Sequence, residues 1–201
     1  AIGDEHFYII NNDGEYITML AKYNLLVGNK VKNYSLDYEP LENPTGIQDP
    51  KALGAEYENN YETNIPWYGT ISYSQNMYWS TGSSLKEEYG TKYSAYVYDS
   101  NANIYSYIES YKNYLQNLGL EVEEARVIKL EELVSLGCKD TYYSCSSAPS
   151  WVYKTSYWTG SARSTSNIVN VRSNGDYGSN IYNGGNNGVR PVIEIPTSEL
   201  R

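Results

Sequence analysis

The amino-acid sequence predicts an α+β fold, and three stretches carry that expectation. Phe7–Ile10 and Glu15–Ala21 flank Asn11-Asn12-Asp13-Gly14, a β-hairpin pattern in which Asp-Gly supplies the positive φ angles of a tight turn. Asp99–Leu118 sets Ile104, Tyr107, Ile108, Tyr111, Leu115 and Leu118 on one face at helical spacing. The chain closes with Gly188-Val189-Arg190-Pro191-Val192-Ile193-Glu194-Ile195, which reads as buried. A shorter helix over Leu130–Leu136 has one apolar stripe of its own. Each helix therefore covers one side of a sheet.

Local signals place the remaining elements. Ser100 or Asn101 can cap the long helix, Gly119 stops it, and Gly137 stops the short one. Between Leu25 and Asn64, Pro40, Pro44 and Pro50 break any period together with Asn33, Asn43 and Gly46. This predicts a long surface excursion with a short helical turn or two. Thr70–Trp79 fits a strand or an extended loop, and Tyr93–Tyr98 alternates as a strand does. Tyr78-Trp79-Ser80-Thr81-Gly82 partly echoes Tyr157-Trp158-Thr159-Gly160, a match too short for an internal repeat.

Composition narrows the function classes. At 201 residues with 40% hydrophobic content, the chain fits one large folded domain or two small ones, and is expected to form a single domain over residues 1–201. A net charge of −9 argues against nucleic acid and anionic membrane as partners, since both need a basic footprint. No apolar run approaches membrane-spanning length. One His and two Cys make a zinc site improbable, because a closed site needs four N or S ligands. The 24 Tyr against a single Phe point to a wide, half-wet aromatic surface, although most Tyr serve simply as strand formers with a polar tip. Cys138 and Cys145 lack the CxxC redox spacing. The polar loop between them favours a local disulfide, worth about 2–3 kcal/mol on the loop-entropy model, over two reduced thiols.

The residues between the buried ends of the segment 156–190 are mostly Asn, Ser, Gly, Tyr, Asp and Arg, the types that recognition surfaces favour. Val169-Asn170-Val171-Arg172 alternates, which would bury the valines and display Asn170 and Arg172. Ser173-Asn174-Gly175-Asp176 is a tight-turn sequence, and Gly184-Gly185 allows loop geometries other residues forbid. Two residue-level readings stay open for this Asn-rich stretch: a ligand surface, or ordinary polar strands and loops.

Ser156-Tyr157-Trp158-Thr159-Gly160-Ser161-Ala162 followed by Gly188-Val189-Arg190-Pro191-Val192-Ile193 resembles the C-terminal signature of C-type-lectin-fold domains in surface and pilin-like proteins of gut Firmicutes. That fold is shared with formylglycine-generating enzymes and with the variable proteins of diversity-generating retroelements. Leu20-Ala21-Lys22-Tyr23 and Ala125–Leu133 resemble the same group, so the similarity covers most of the chain. It implies a C-type lectin-like fold with the N- and C-terminal strands paired. Helices Asn101–Leu118 and Leu130–Leu136 would pack on a small antiparallel sheet, and residues 158–188 would form a second one with exposed loops. It also implies an extracellular or cell-surface place on a bacterium or phage, with any leader or anchor outside these residues.

In retroelement-diversified members the displayed positions of this segment bind the ligand and vary through mutation at adenine. Asn167, Asn170, Asn174, Asp176, Tyr177, Asn180, Tyr182, Asn183 and Asn186 match that pattern. The expected function is therefore a non-enzymatic binding or adhesion module for a protein or glycan ligand. Its anchors would be Trp158, Asn170, Arg172, Asp176, Tyr177 and Tyr182. A structural, pilin-like assembly subunit is the alternative, and a glycan-active enzyme the third.

Chemistry that other members carry is missing here. The lectin calcium motifs Glu-Pro-Asn, Gln-Pro-Asp and Trp-Asn-Asp do not occur; Glu42-Asn43-Pro44 and Gln48-Asp49-Pro50 have the wrong order. Cys138 and Cys145 both precede the signature, unlike the active cysteines of the formylglycine-generating enzymes. His6 has no nucleophile in plausible partnership, and Glu121, Glu123 and Glu124 read as a solvated turn. No catalytic residue, metal or cofactor is expected.

Overall fold

The computed structural model describes residues 2–3, 5–25, 29–32, 38–40, 61–67, 70–75, 78–81, 84–87, 93–139, 144–163, 167–181 and 186–200. Strands β1 (Phe7–Asn12), β2 (Tyr16–Ala21), β3 (Asn29–Lys32), β4 (Tyr38–Pro40) and β5 (Tyr61–Pro66) come first. Then come β6 (Thr70–Gln75), β7 (Tyr78–Thr81), β8 (Ser84–Glu87), β9 (Tyr93–Val97) and helix α1 (Asn103–Asn117). β10 (Glu124–Val127), helix α2 (Leu130–Ser135), β11 (Tyr157–Ala162), β12 (Asn167–Val171), β13 (Tyr177–Ile181), β14 (Asn186–Asn187) and β15 (Pro191–Pro196) complete the order. The chain is α+β, two helices with antiparallel sheets among the described residues.

Two compact units emerge, each drawn from separated stretches and therefore not successive domains. One comprises Ala1–Ile65, Ser106–Val127 and Gly188–Arg201; the other comprises Pro66–Tyr105 and Ile128–Asn187.

The first unit holds a four-stranded sheet in the order β1-β2-β15-β10. β2 and β15 are central because they are apolar on both faces. Ile17, Met19, Leu20, Val192, Ile193 and Ile195 are all buried, each burial worth about 1.5–3 kcal/mol. Ile17 lies opposite Ile195, and Met19 opposite Ile193. The resemblance places the first strand beside the last; the structure corrects this by putting β2 there. β1 ends in the exposed Asn11 and Asn12 and takes the edge, where one side needs no partner.

Gly14, at φ +95°, makes the expected hairpin turn. Asp13 Oδ1 accepts the amides of Tyr16 (2.7 Å) and Glu15 (2.9 Å), which hold its carboxyl below the usual pKa. Arg190 is wholly buried and donates to the carbonyls of Ala21 (2.7 Å) and Lys22 (3.1 Å), while Leu25 N–H donates to Val189 (2.7 Å). The entry to β15 is thereby sewn to the exit of β2.

Helix α1 buries the expected stripe Ile104, Tyr107, Ile108, Tyr111 and Leu115. Leu118 is the exception at 48% exposed, because the helix has ended at Asn117. The start also differs from expectation. Asp99 Oδ1 accepts Asn101 N–H and its carbonyl accepts Ala102 N–H, so 99–102 is a turn before the helix. Gly119, at φ +92°, closes α1 with Gly119 N–H to Gln116 O and Leu120 N–H to Leu115 O. Tyr111 Oη donates to Glu5 Oε2 at 2.8 Å; burial first, then the Glu5 charge, pushes its pKa well above the ordinary value.

Among the described residues, the stretch from Leu25 to Asn64, expected as an irregular surface excursion, contains β3, β4 and most of β5. Residues 33–37 and 41–60, where a short helical turn or two was also expected, lie outside the described residues. β3 pairs antiparallel with both β4 and β5, and Pro40 sits at the end of β4. Asn33, Asn43, Pro44, Gly46 and Pro50 lie outside the described residues.

In the second unit β6 pairs with β9, β7 with β8, and β11-β12-β13 form a three-stranded sheet. Thr70–Trp79 thus resolves into one strand and the start of another. α2 is anchored to β11, since Leu130 N–H donates to Ser161 Oγ (3.0 Å) and Gly160 N–H to Ile128 O (2.8 Å). Trp67 and Trp158, both fully buried, meet edge-to-face with ring centroids 6.2 Å apart.

Candidate functional site

The segment expected to display a ligand surface forms the three-stranded sheet and its turn. β11 and β12 set Trp158 opposite Asn170, and β13 sets Gly178 opposite Asn170, so these positions share one face. That face is inward. Trp158 is 0% exposed and Asn170 1%, which corrects the expectation that both anchor a ligand. Alternation fails at β12 because the sheet is covered on both faces, burying Val169, Asn170 and Val171 together.

Asn170 Nδ2 donates to Asn187 Oδ1 at 3.0 Å, and Asn187 is itself 3% exposed. Asn170 Oδ1 and Asn187 Nδ2 have no hydrogen-bond partner among the described residues. Their one bond engages two of the pair's four polar side-chain atoms, and a buried group left without a partner costs about 1–3 kcal/mol. Asn187 went unnoticed in the sequence because nothing local to it marks a contact with a residue seventeen positions away.

The outward part is the turn from Arg172 to Asp176. Arg172 N–H donates to Asp176 O (2.8 Å) and Gly175 N–H to Arg172 O (3.2 Å), with Gly175 at φ +90°. Asn174 closes the turn internally, accepting Asp176 N–H (3.1 Å) and donating Nδ2 to Asp176 Oδ2 (3.0 Å). Arg172 and Asn174 are exposed, and Asp176 is half-buried.

Three braces hold this turn from beneath. Ser156 Oγ accepts Ser173 N–H (3.1 Å). The ring of Tyr153 lies so close to Gly175 that an added Cβ would meet it at 3.5 Å. Cys145 N–H donates to Gly175 O (2.7 Å), and Ser144 bridges Asp176. Cys138 and Cys145 form the expected disulfide, with Cα atoms 4.0 Å apart. Cys138 follows Gly137, the helix stop, donating N–H to Leu133 O at 3.0 Å. The disulfide thus ties the end of α2 to the turn. Ser156 and Tyr153 were not legible as braces, because their partners lie 17 and 22 positions onward.

The remaining positions divide simply. Asn167 is half-buried at the start of β12, opposite Ile181. Tyr177 and Asn180 lie on β13 and Asn186 on β14, while Tyr182, Asn183, Gly184 and Gly185 lie outside the described residues. Among the described residues no group of three His, Cys, Asp or Glu could hold a metal ion, and both cysteines are in the disulfide. No helix there is long and apolar enough to cross a membrane. Compared with protein-family models, curated proteins and solved structures, the chain matches none of them.

Proposed function

We propose that the chain is a non-catalytic binding module with a C-type lectin-like arrangement, presenting the turn Arg172–Asp176 and the strand after it to a protein or glycan. The observation that carries this reading is the bracing of the turn. Its outward side chains are polar, while its backbone is held by Ser156, Tyr153 and the disulfide-bonded Cys145. Ordering a loop before binding removes an entropy cost that association would otherwise meet. An exposed Arg and a carboxylate held by Asn174 on one turn offer both signs of charge to a polar partner.

The lectin-like arrangement is supported by a last strand that shares its sheet with the N-terminal hairpin, and by helices accompanying small antiparallel sheets. The disulfide suits an oxidising, extracellular setting. The Asn-rich positions leave diversification by a retroelement as part of the same proposal, with Arg172, Asn174 and Asp176 as its outward members.

The test is capture on a glycan array and on a panel of extracellular proteins. The wild-type chain should retain at least one ligand, and Arg172→Glu should lose it while its melting temperature moves by no more than about 2 °C. Wild-type binding to nothing, or an unchanged capture by Arg172→Glu, would overturn the reading.

A further inference from the structure

The chain holds three Asn-Gly pairs, Asn174-Gly175, Asn183-Gly184 and Asn187-Gly188. In such a pair the glycine nitrogen can close a five-membered ring on the asparagine side-chain carbonyl, and glycine has no Cβ to block the approach. By sequence the three are alike. Asn183-Gly184 lies outside the described residues, and the other two are set in opposite surroundings.

Asn187 belongs to β14 and is 3% exposed, with Gly188 buried after it. Its Oδ1 accepts Asn170 Nδ2 at 3.0 Å. Asn174 is exposed; its Oδ1 accepts Asp176 N–H (3.1 Å) and its Nδ2 donates to Asp176 Oδ2 (3.0 Å). Each carbonyl thus has one donor aimed at the oxygen that gains charge under attack, so that stabilisation does not separate the two sites. Access to solvent does separate them. Ring closure needs a base to take the glycine amide proton, and ring opening needs water. At Asn174 the amide concerned, Gly175 N–H, is held by Arg172 O at 3.2 Å, and freeing it opens one surface turn. At Asn187 the same step must open a buried strand, a costlier fluctuation. The bracing of Gly175 by the Tyr153 ring and by Cys145 N–H (2.7 Å) slows the reaction at Asn174 without sealing it from water.

We propose that Asn174 is a site of spontaneous deamidation, through a succinimide formed with Gly175. A hydroxide ion removes the Gly175 amide proton, and the nitrogen bonds to Asn174 Cγ. The Cγ–Nδ2 bond breaks as that side-chain nitrogen takes a proton from water and leaves as ammonia. Water then opens the ring at one carbonyl to give aspartate, or at the other to give isoaspartate, whose backbone is longer by a methylene. Either product adds a carboxylate to the turn and removes the Nδ2 donor that holds Asp176. The turn, with Arg172 and Asp176 as its charged residues, thereby becomes net acidic. Only the consequence for a ligand rests on the function proposed above; the chemistry stands apart from it.

The test is to incubate the native wild-type chain for weeks at physiological temperature and pH, digest it with trypsin, and follow the peptide Ser173–Arg201 by mass spectrometry. That peptide holds both sites. Fragment ions should place the mass gain of deamidation at Asn174 at a rate at least about tenfold above that at Asn187. In urea, where neither site is sheltered, the two rates should converge. An isoaspartyl methyltransferase should label the aged native chain at position 174. An Asn174 that stays intact in the native chain yet reacts in urea would overturn the proposal, and so would equal native rates at Asn174 and Asn187. Neither outcome bears on ligand capture by the fresh protein.

Discussion

Two asparagines four positions apart, Asn170 and Asn174, meet opposite fates. Asn170 is sealed inside against Asn187, and Asn174 stands in solvent on a braced turn. Both belong to the stretch that composition marks as a single polar surface. The difference teaches that composition locates such a segment but register assigns its faces. Asn170 lies opposite Trp158 and Gly178, and that pairing, not its own polarity, turns it inward.

The sharpest way to break the comparison is to load both sides. On the inner face, Trp158→Ala should cost about 3–5 kcal/mol by emptying the contact with Trp67. Asn170→Asp should cost about 3 kcal/mol or more, since it buries a carboxylate. Asn174→Asp on the turn should stay within about 0.5 kcal/mol. Urea unfolding of the three variants measures this, and equal costs for the two asparagines would erase the distinction between faces.

A smaller effect is expected from the brace. Cys138→Ala with Cys145→Ala opens a loop whose closure is worth about 2–3 kcal/mol, and it should speed hydrogen exchange at the Gly175 and Asp176 amides. Exchange that accelerated only near α2 would show the turn to be held by Ser156 and Tyr153 alone.

A stability change smaller than the brace's should come from Gly175→Ala. At φ +90° a Cβ costs about 1–2 kcal/mol, and here it also meets the Tyr153 ring in ordinary contact. Pairing it with Tyr153→Ala should leave the penalty nearly unchanged if φ is its source. A penalty relieved by removing the ring would place the source in crowding instead.

Much of the frame was legible because its signals are local. Asp13-Gly14 announced a hairpin, the Ile104–Leu115 stripe a helix, Gly119 its stop and Gly137 the stop of α2, since each depends on a few neighbouring dihedrals. The disulfide was legible because two cysteines seven apart have few other uses outside a metal site. The site was legible only in part. Arg172, Asn174 and Asp176 lie on the turn as expected, whereas Trp158 and Asn170 are core.

By itself, then, the sequence determined where the chain turns, which helix faces are apolar, and that a polar segment near the C-terminus lies between apolar ends. Only the tertiary structure decided that β2 rather than β1 flanks the last strand, that β3 pairs with β4 and β5, and that Asn170 faces Asn187. Those outcomes rest on pairings across many residues, where a shift of one position exchanges the two faces of a strand without changing any local preference.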